Sequence, residues 1–136
     1  MITAVDTNVL VDVMSVDAAF GEASARLLRR CVQEGGVIAS DVVWAEVAAG
    51  FSEVTVLTNA LEQLGVEFVP LTRDGAELAS AAWRAYRAQG GPRTRIVADF
   101  LVGGHASMQA DRLLSRDRGF FRRYFSSLIV LDPAAT

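Results

Sequence analysis

The chain has no lysine; all thirteen of its basic residues are arginine. That excludes a phosphate-binding P-loop, whose lysine reaches the phosphates, and any Schiff-base mechanism. Cysteine is nearly absent as well. Cys31 alone can form neither an intramolecular disulfide nor a cysteine-rich zinc site, which fits a reducing cytoplasm. Histidine occurs once, as His105, which disfavours imidazole-ligated zinc and a Ser-His-Asp triad. No stretch approaches the roughly 20 consecutive apolar residues of a membrane span. The apolar N-terminus has no basic segment before it and is broken early by Asp6, unlike a secretory signal. The expectation is a cytoplasmic protein with no membrane partner.

What is present is apolar sequence in short periodic blocks. Hydrophobic residues make up 51% of the 136 and charged residues 21%, which supports a sizeable core and argues against global disorder. The length suits one domain over residues 1–136. The net charge of −3 conceals an asymmetry. Residues 1–70 hold ten Asp/Glu and three Arg, a balance of −7, and residues 71–136 hold six Asp/Glu and ten Arg, a balance of +4. Arginine favours bidentate phosphate contacts.

The runs "ITAV", "GVIAS", "VEFVPL", "DRLLSRD" and "SLIVL" each contain a short strand. Between them lie helical stretches: "TNVLVDVM", "DAAFGEASARLLRRCVQEGG", "SDVVWAEVAAGF", "EVTVLTNALEQLG", "TRDGAELASAAWRAYRAQGG" and "IVADFLVGGHASMQ", with "RGFFRRYF" as a short helix or turn. Asp17, Ser40 or Asp41, and Thr72 or Asp74 are candidate caps; Gly35-Gly36 and Gly65 are stops. Strands alternate with helices throughout, so the predicted fold class is α/β: a three-layer sandwich with a five-stranded, mostly parallel sheet flanked by helices.

In such sheets ligands bind beyond the carboxyl ends of the strands. Asp6 follows the first strand, Ser40-Asp41 the second, with Glu46 a turn further on, and Ser115 and Asp117 follow the fourth. Asp99 opens the helix after "GPRTR". If the first, second and fourth strands are neighbours, their loops bring these acids together. Each acid has a plainer role open to it: Asp6 as a helix cap, Asp117 as a turn residue, Glu46 and Asp99 on solvated faces. Yet Glu46 in "VVWAEVAAG" and Asp99 in "IVADFLVGG" stand in apolar runs, where a lone acid is costly. Clustered carboxylates repel unless a cation intervenes, and Mg2+ or Mn2+ suits an all-oxygen set. His105 lies far around its helix from Asp99. A divalent ion without a P-loop points to phosphodiester chemistry, in which the ion lowers the pKa of water and stabilises oxygen charge. Arg93, Arg95, Arg116 and Arg118 are candidate phosphate contacts, to RNA if the resemblance given next holds; their alternative role is as solvated charges or partners of Asp/Glu.

Together, "AVDTNVLVDV", Glu46 in "DVVWAEVAAGF", Asp99 in "RIVADFLVGGHA", and "RLLSRDRGFFRRYF" followed by "LIVLDP" resemble the PIN-domain ribonucleases, and within them the VapC-type toxins of toxin–antitoxin pairs. The resemblance runs over essentially the full length. It implies a five-stranded parallel sheet and an Mg2+- or Mn2+-dependent endoribonuclease that leaves a 5′-phosphate. It also implies an acidic site of Asp6, Glu46, Asp99 and Asp117, with Asp6, Asp99 and Asp117 as metal ligands and Glu46 holding a metal-bound water or a second ion. Thr7, Asn8 and Ser115 match supporting polar positions, Ser115 replacing a frequent Thr. A homodimer and a cognate antitoxin are implied too, the antitoxin laying an amphipathic segment near the early helices, where Trp44, Phe51, Val54 and Leu57 would line a groove or else pack in the core. The sequence departs from many relatives after Asp99, where "FLVGGHA" replaces a more Ala-rich helix with another polar or acidic residue, so one ion or two stays open. The alternatives are a non-catalytic PIN-like module that binds RNA or protein, and a phosphatase or phosphoacceptor domain. The latter lacks its usual second Asp, since Asn8 stands there, and its Lys.

Overall fold

The structure, a computed structural model, describes residues 1–92 and 97–135. Five strands form one sheet: β1 (Ile2–Val5), β2 (Gly36–Ala39), β3 (Val66–Phe68), β4 (Arg112–Leu114) and β5 (Ile129–Leu131). Their order is β3-β2-β1-β4-β5, and every neighbouring pair is parallel. The helices are α1 (Thr7–Met14), α2 (Gly21–Glu34), α3 (Asp41–Ala48), α4 (Val54–Leu64), α5 (Arg73–Ala88), α6 (Val97–Gln109) and α7 (Arg118–Tyr124). A parallel sheet needs helical crossovers, and helices on both faces explain why its central strands read as continuous apolar runs. Ala4, Val5, Val37, Ile38, Leu113 and Leu114 are all buried.

The expected α/β sandwich and its five strands are present. Ser40 caps α3, its side chain accepting from the Val43 N–H, and Thr72 caps α5 through the Gly75 N–H. Gly65 ends α4 in the left-handed region at φ 82°, where a side chain would be strained. One boundary differs: α2 starts at Gly21, not at Asp17. The Asp17 carboxylate accepts instead from the N–H groups of Ala19 and Phe20, stabilising a turn before the helix.

The pair Gly103-Gly104, unfavourable in an isolated helix, is explained by packing. A Cβ on Gly104 would lie 2.2 Å from the Gly75 carbonyl oxygen, and one on Gly103 would lie 2.3 Å from the Phe125 ring. Glycine lets α6 approach α5 backbone to backbone and makes room for Phe125. At the other end of α6, Phe100 is fully buried, with Phe120, Tyr86, Tyr124 and Trp83 around it. That aromatic cluster fixes the first turn of α6, where Asp99 sits.

Candidate active site

Because β2, β1 and β4 are adjacent, the chain leaves three neighbouring strands at one edge of the sheet. Asp6 follows β1 and caps α1, its Oδ1 accepting from the Thr7 N–H at 2.8 Å. Its Oδ2 accepts from Ser115 Oγ at 2.8 Å and faces Asn8 Nδ2 at 3.4 Å. Glu46, in the second turn of α3, accepts from Thr7 Oγ1 at 2.8 Å. Ser115 Oγ also accepts from the Asp117 N–H at 3.0 Å. Asn8 is held in turn, its Oδ1 accepting from the Arg116 N–H at 3.2 Å. Thr7, Asn8 and Ser115 thus tie three acid-bearing segments together around Asp6.

Burial pushes the Asp6 carboxyl up from 3.8 to about 6. Its hydrogen bonds from Ser115 and Thr7 oppose the rise, whereas the negative charges of Asp99 and Glu46 add to it. Asp99 and Glu46 are therefore close enough to act on Asp6 electrostatically. Asp6, Asp99 and Asp117 are half-buried, and Glu46 is exposed.

The donors are all oxygen, and their mutual repulsion is the conflict a hard divalent cation relieves. By donor chemistry these residues fit such an ion. Among the described residues, no three His, Cys, Asp or Glu side chains are gathered as a ready-made metal cage. His105 is remote from this chemistry: it is buried on α6 with Nε2 2.8 Å from the Val69 carbonyl oxygen, so that nitrogen carries the proton. Burial lowers its pKa.

Of the four candidate RNA-contacting arginines, Arg93 and Arg95 lie outside the described residues. Arg116 takes the alternative role. Its Nε and Nη2 donate to the two carboxylate oxygens of buried Asp12, at 2.6 and 3.1 Å, and its guanidinium lies 4.2 Å from the centre of the Phe20 ring. Asp12 also accepts from Ser24 Oγ at 3.0 Å. Those bonds raise the Arg116 pKa further. Asp12 is the residue that sequence reasoning missed. Its signal was a lone acid in the apolar run "VLVDVM", which demands a partner. Arg118 opens α7 beside Asp117.

The expected apolar groove is built differently. Leu57 is fully buried in the core, Trp44 packs edge-on against Phe68 with ring centres 5.2 Å apart, and Val54 is exposed. Phe51 does line a depression of about 310 Å³ with Val11, Met14 and Val47, and Glu46 sits on its rim.

A parallel sheet with this strand order, carrying an acid beyond β1, another on the helix after β2 and a third beyond β4, defines an α/β protein with a candidate site at the carboxyl edge. The profile of the PIN domain matches residues 3–126, and the chain belongs to the PIN-domain family. No curated protein sequence matches it. Its fold is shared with VapBC-1 of nontypeable Haemophilus influenzae, at TM-score 0.73 and 19% identity over 98% of this chain and 99% of that one. A toxin–antitoxin complex from Klebsiella pneumoniae gives 0.65 and 18% over 96% and 97%. Mycobacterium tuberculosis VapC20, a sarcin–ricin loop cleaving toxin, gives 0.60 and 17% over 87% and 92%. Among the described residues, no helix is long and apolar enough to cross a membrane.

Proposed function

We infer that the chain is a metal-dependent endoribonuclease, the toxin of a type II toxin–antitoxin pair. The observation that carries this reading is the hydrogen-bonded placement of Asp6, with Glu46 and Asp117 tied to it through Thr7 and Ser115, and Asp99 within electrostatic reach. PIN-domain membership and the fold shared with VapC20 support it. Asp6, Asp99 and Asp117 would hold Mg2+ or Mn2+, and Glu46 would hold a water or a second ion. The bound ion would supply a nucleophile near neutral pH and offset phosphate charge.

The chain's own residues do the remaining work. Ser115 and the Thr7 N–H hold the Asp6 carboxylate in one rotamer, and Thr7 Oγ1 leaves the second Glu46 oxygen to accept a proton. Arg118 beside Asp117 would meet the scissile strand. A cytoplasmic setting, a homodimer and a cognate antitoxin belong to the same reading. An amphipathic antitoxin segment laid over Val11, Met14 and Phe51 would pass Glu46 and bring a basic side chain to the acids. Purified chain, freed of any partner, should cleave single-stranded RNA with Mg2+ or Mn2+ and stop when the ion is chelated; no cleavage with either ion, or cleavage that persists under chelation, contradicts the reading. The rival, a non-catalytic RNA- or protein-binding module, predicts no calorimetric Mn2+ binding that depends on Asp99.

A further inference from the structure

The arginines divide into two sets. One set is paired with carboxylates: Arg26 with Glu22, Arg30 and Arg112 with Glu34, Arg73 with Glu77 at the start of α5, and Arg116 with Asp12. Arg84, Arg87, Arg118, Arg122 and Arg123 have no carboxylate partner among the described residues. Apart from Asp117, which precedes Arg118, their own segments offer none: residues 78–92 and 118–131 contain no Asp or Glu.

These two acid-free segments lie side by side. Arg123 Nη2 donates to Gln89 Oε1 at 3.1 Å, the Tyr124 hydroxyl reaches the same oxygen at 3.4 Å, and the Tyr86 and Tyr124 ring centres are 5.4 Å apart. Arg118 and Arg122 share a face of α7 at i, i+4, and Arg84 and Arg87 share one of α5 at i, i+3. Between Arg84 and Arg87 lies a shallow depression of about 610 Å³ lined also by Ser80 and Trp83. Trp83 is 37% exposed and stacks against Phe100 at 24°, with the Arg87 guanidinium 6.0 Å from its ring centre. The strip starts next to Asp117, in the acidic site, and ends at an exposed aromatic.

We propose that the α7–α5 strip of Arg118, Arg122, Arg123, Arg87 and Arg84, ending at Trp83, is the track on which single-stranded RNA lies as it enters the acidic site. This rests on the ribonuclease reading and gives its substrate a path. Unpaired guanidinium groups bind phosphates without a competing carboxylate and release counterions as they do so. A partly exposed indole adds a stacking platform that tolerates any base.

The test uses the full chain carrying Asp6→Asn, so that binding is read without cleavage, and a fluorescent single-stranded RNA of about 12 nucleotides, a length within common single-strand site sizes. Adding Arg84→Gln/Arg87→Gln should weaken binding about tenfold and flatten the slope of log K against log salt by about 1.4, or 0.7 per lost contact. The charge-matched pair Arg29→Gln/Arg30→Gln on α2 should change neither by as much. Arg84→Lys/Arg87→Lys should keep the slope, which separates lost contacts from lost folding. Unchanged affinity and slope in the first pair overturn the proposal, as does an equal loss in the α2 pair. The two readings fail separately: a wild-type chain that cleaves RNA while the strip variants bind normally loses only the track. A chain that never cleaves but binds RNA through the strip loses only the nuclease.

Discussion

Ser115 is the residue on which the site turns. Its hydroxyl has one proton to donate and two lone pairs to fill, and all three are used, toward Asp6, the Asp117 N–H and Asn8. Asp6 carries the electrostatic cost. Between pH 4 and pH 6 the folded chain keeps a proton on Asp6 that the unfolded chain has lost, so stability falls as pH rises through this window and stays reduced above it. Asp6→Asn keeps a good helix cap and removes the charge. In metal-free buffer at pH 7.5 it should therefore stabilise the chain by about 2 kcal/mol, read as a higher melting temperature, with the gain vanishing near pH 4. A destabilised Asp6→Asn at pH 7.5 would mean that burial does not strain the Asp6 carboxylate. Asp12 and Arg116 act from behind: they fasten α1 to the loop that carries Ser115 and Asp117. Arg116→Gln leaves Asp12 buried with only Ser24, and should cost about 3 kcal/mol in urea denaturation. Asp12→Asn in the same chain should recover part of it, because the two residues are coupled.

Elements position these residues through contacts that sequence patterns do not announce. Helix α6 brings Asp99 to the carboxyl edge while its middle presses on α5 through Gly104. Gly104→Ala places a methyl against the Gly75 backbone, and an overpacked crossing costs about 2 kcal/mol even after the roughly 1 kcal/mol that alanine adds to helix propensity. Gly119 in α7 is the control: an added Cβ meets nothing within 4 Å. Gly119→Ala should be neutral or stabilising by up to about 1 kcal/mol. Paired thermal melts check both signs at once. The glycines of "FLVGGHA", read from sequence as a departure from related helices that left one ion or two open, are thus a packing device at α6.

For the whole molecule, the strand–helix rhythm and the positions of Asp6, Glu46, Asp99 and Asp117 were legible because each lies within or beside a local apolar pattern. A parallel sheet then puts strand ends at a common edge without further information. The neighbouring of β2, β1 and β4, a condition that the sequence leaves open, is what the sheet has. The Asp12–Arg116 pair, the Gly75–Gly104 crossing and the division of arginines into paired and unpaired sets were not legible. All three depend on contacts between residues far apart in the chain, on which local periodicity is silent. The resulting charge pattern sets acids at the sheet edge beside arginines of α7 and the C-terminal half of α5 that have no carboxylate partner among the described residues. The central claim is that four acids act as one site. Its most direct measurement is the Mn2+-dependent cleavage rate of single-stranded RNA by Asp6→Asn, Glu46→Gln, Asp99→Asn and Asp117→Asn, beside the exposed Glu67→Gln on β3. Each of the four should fall about 100-fold or more with Glu67→Gln at the wild-type rate; full activity in any of the four, or an equal loss in Glu67→Gln, would contradict it.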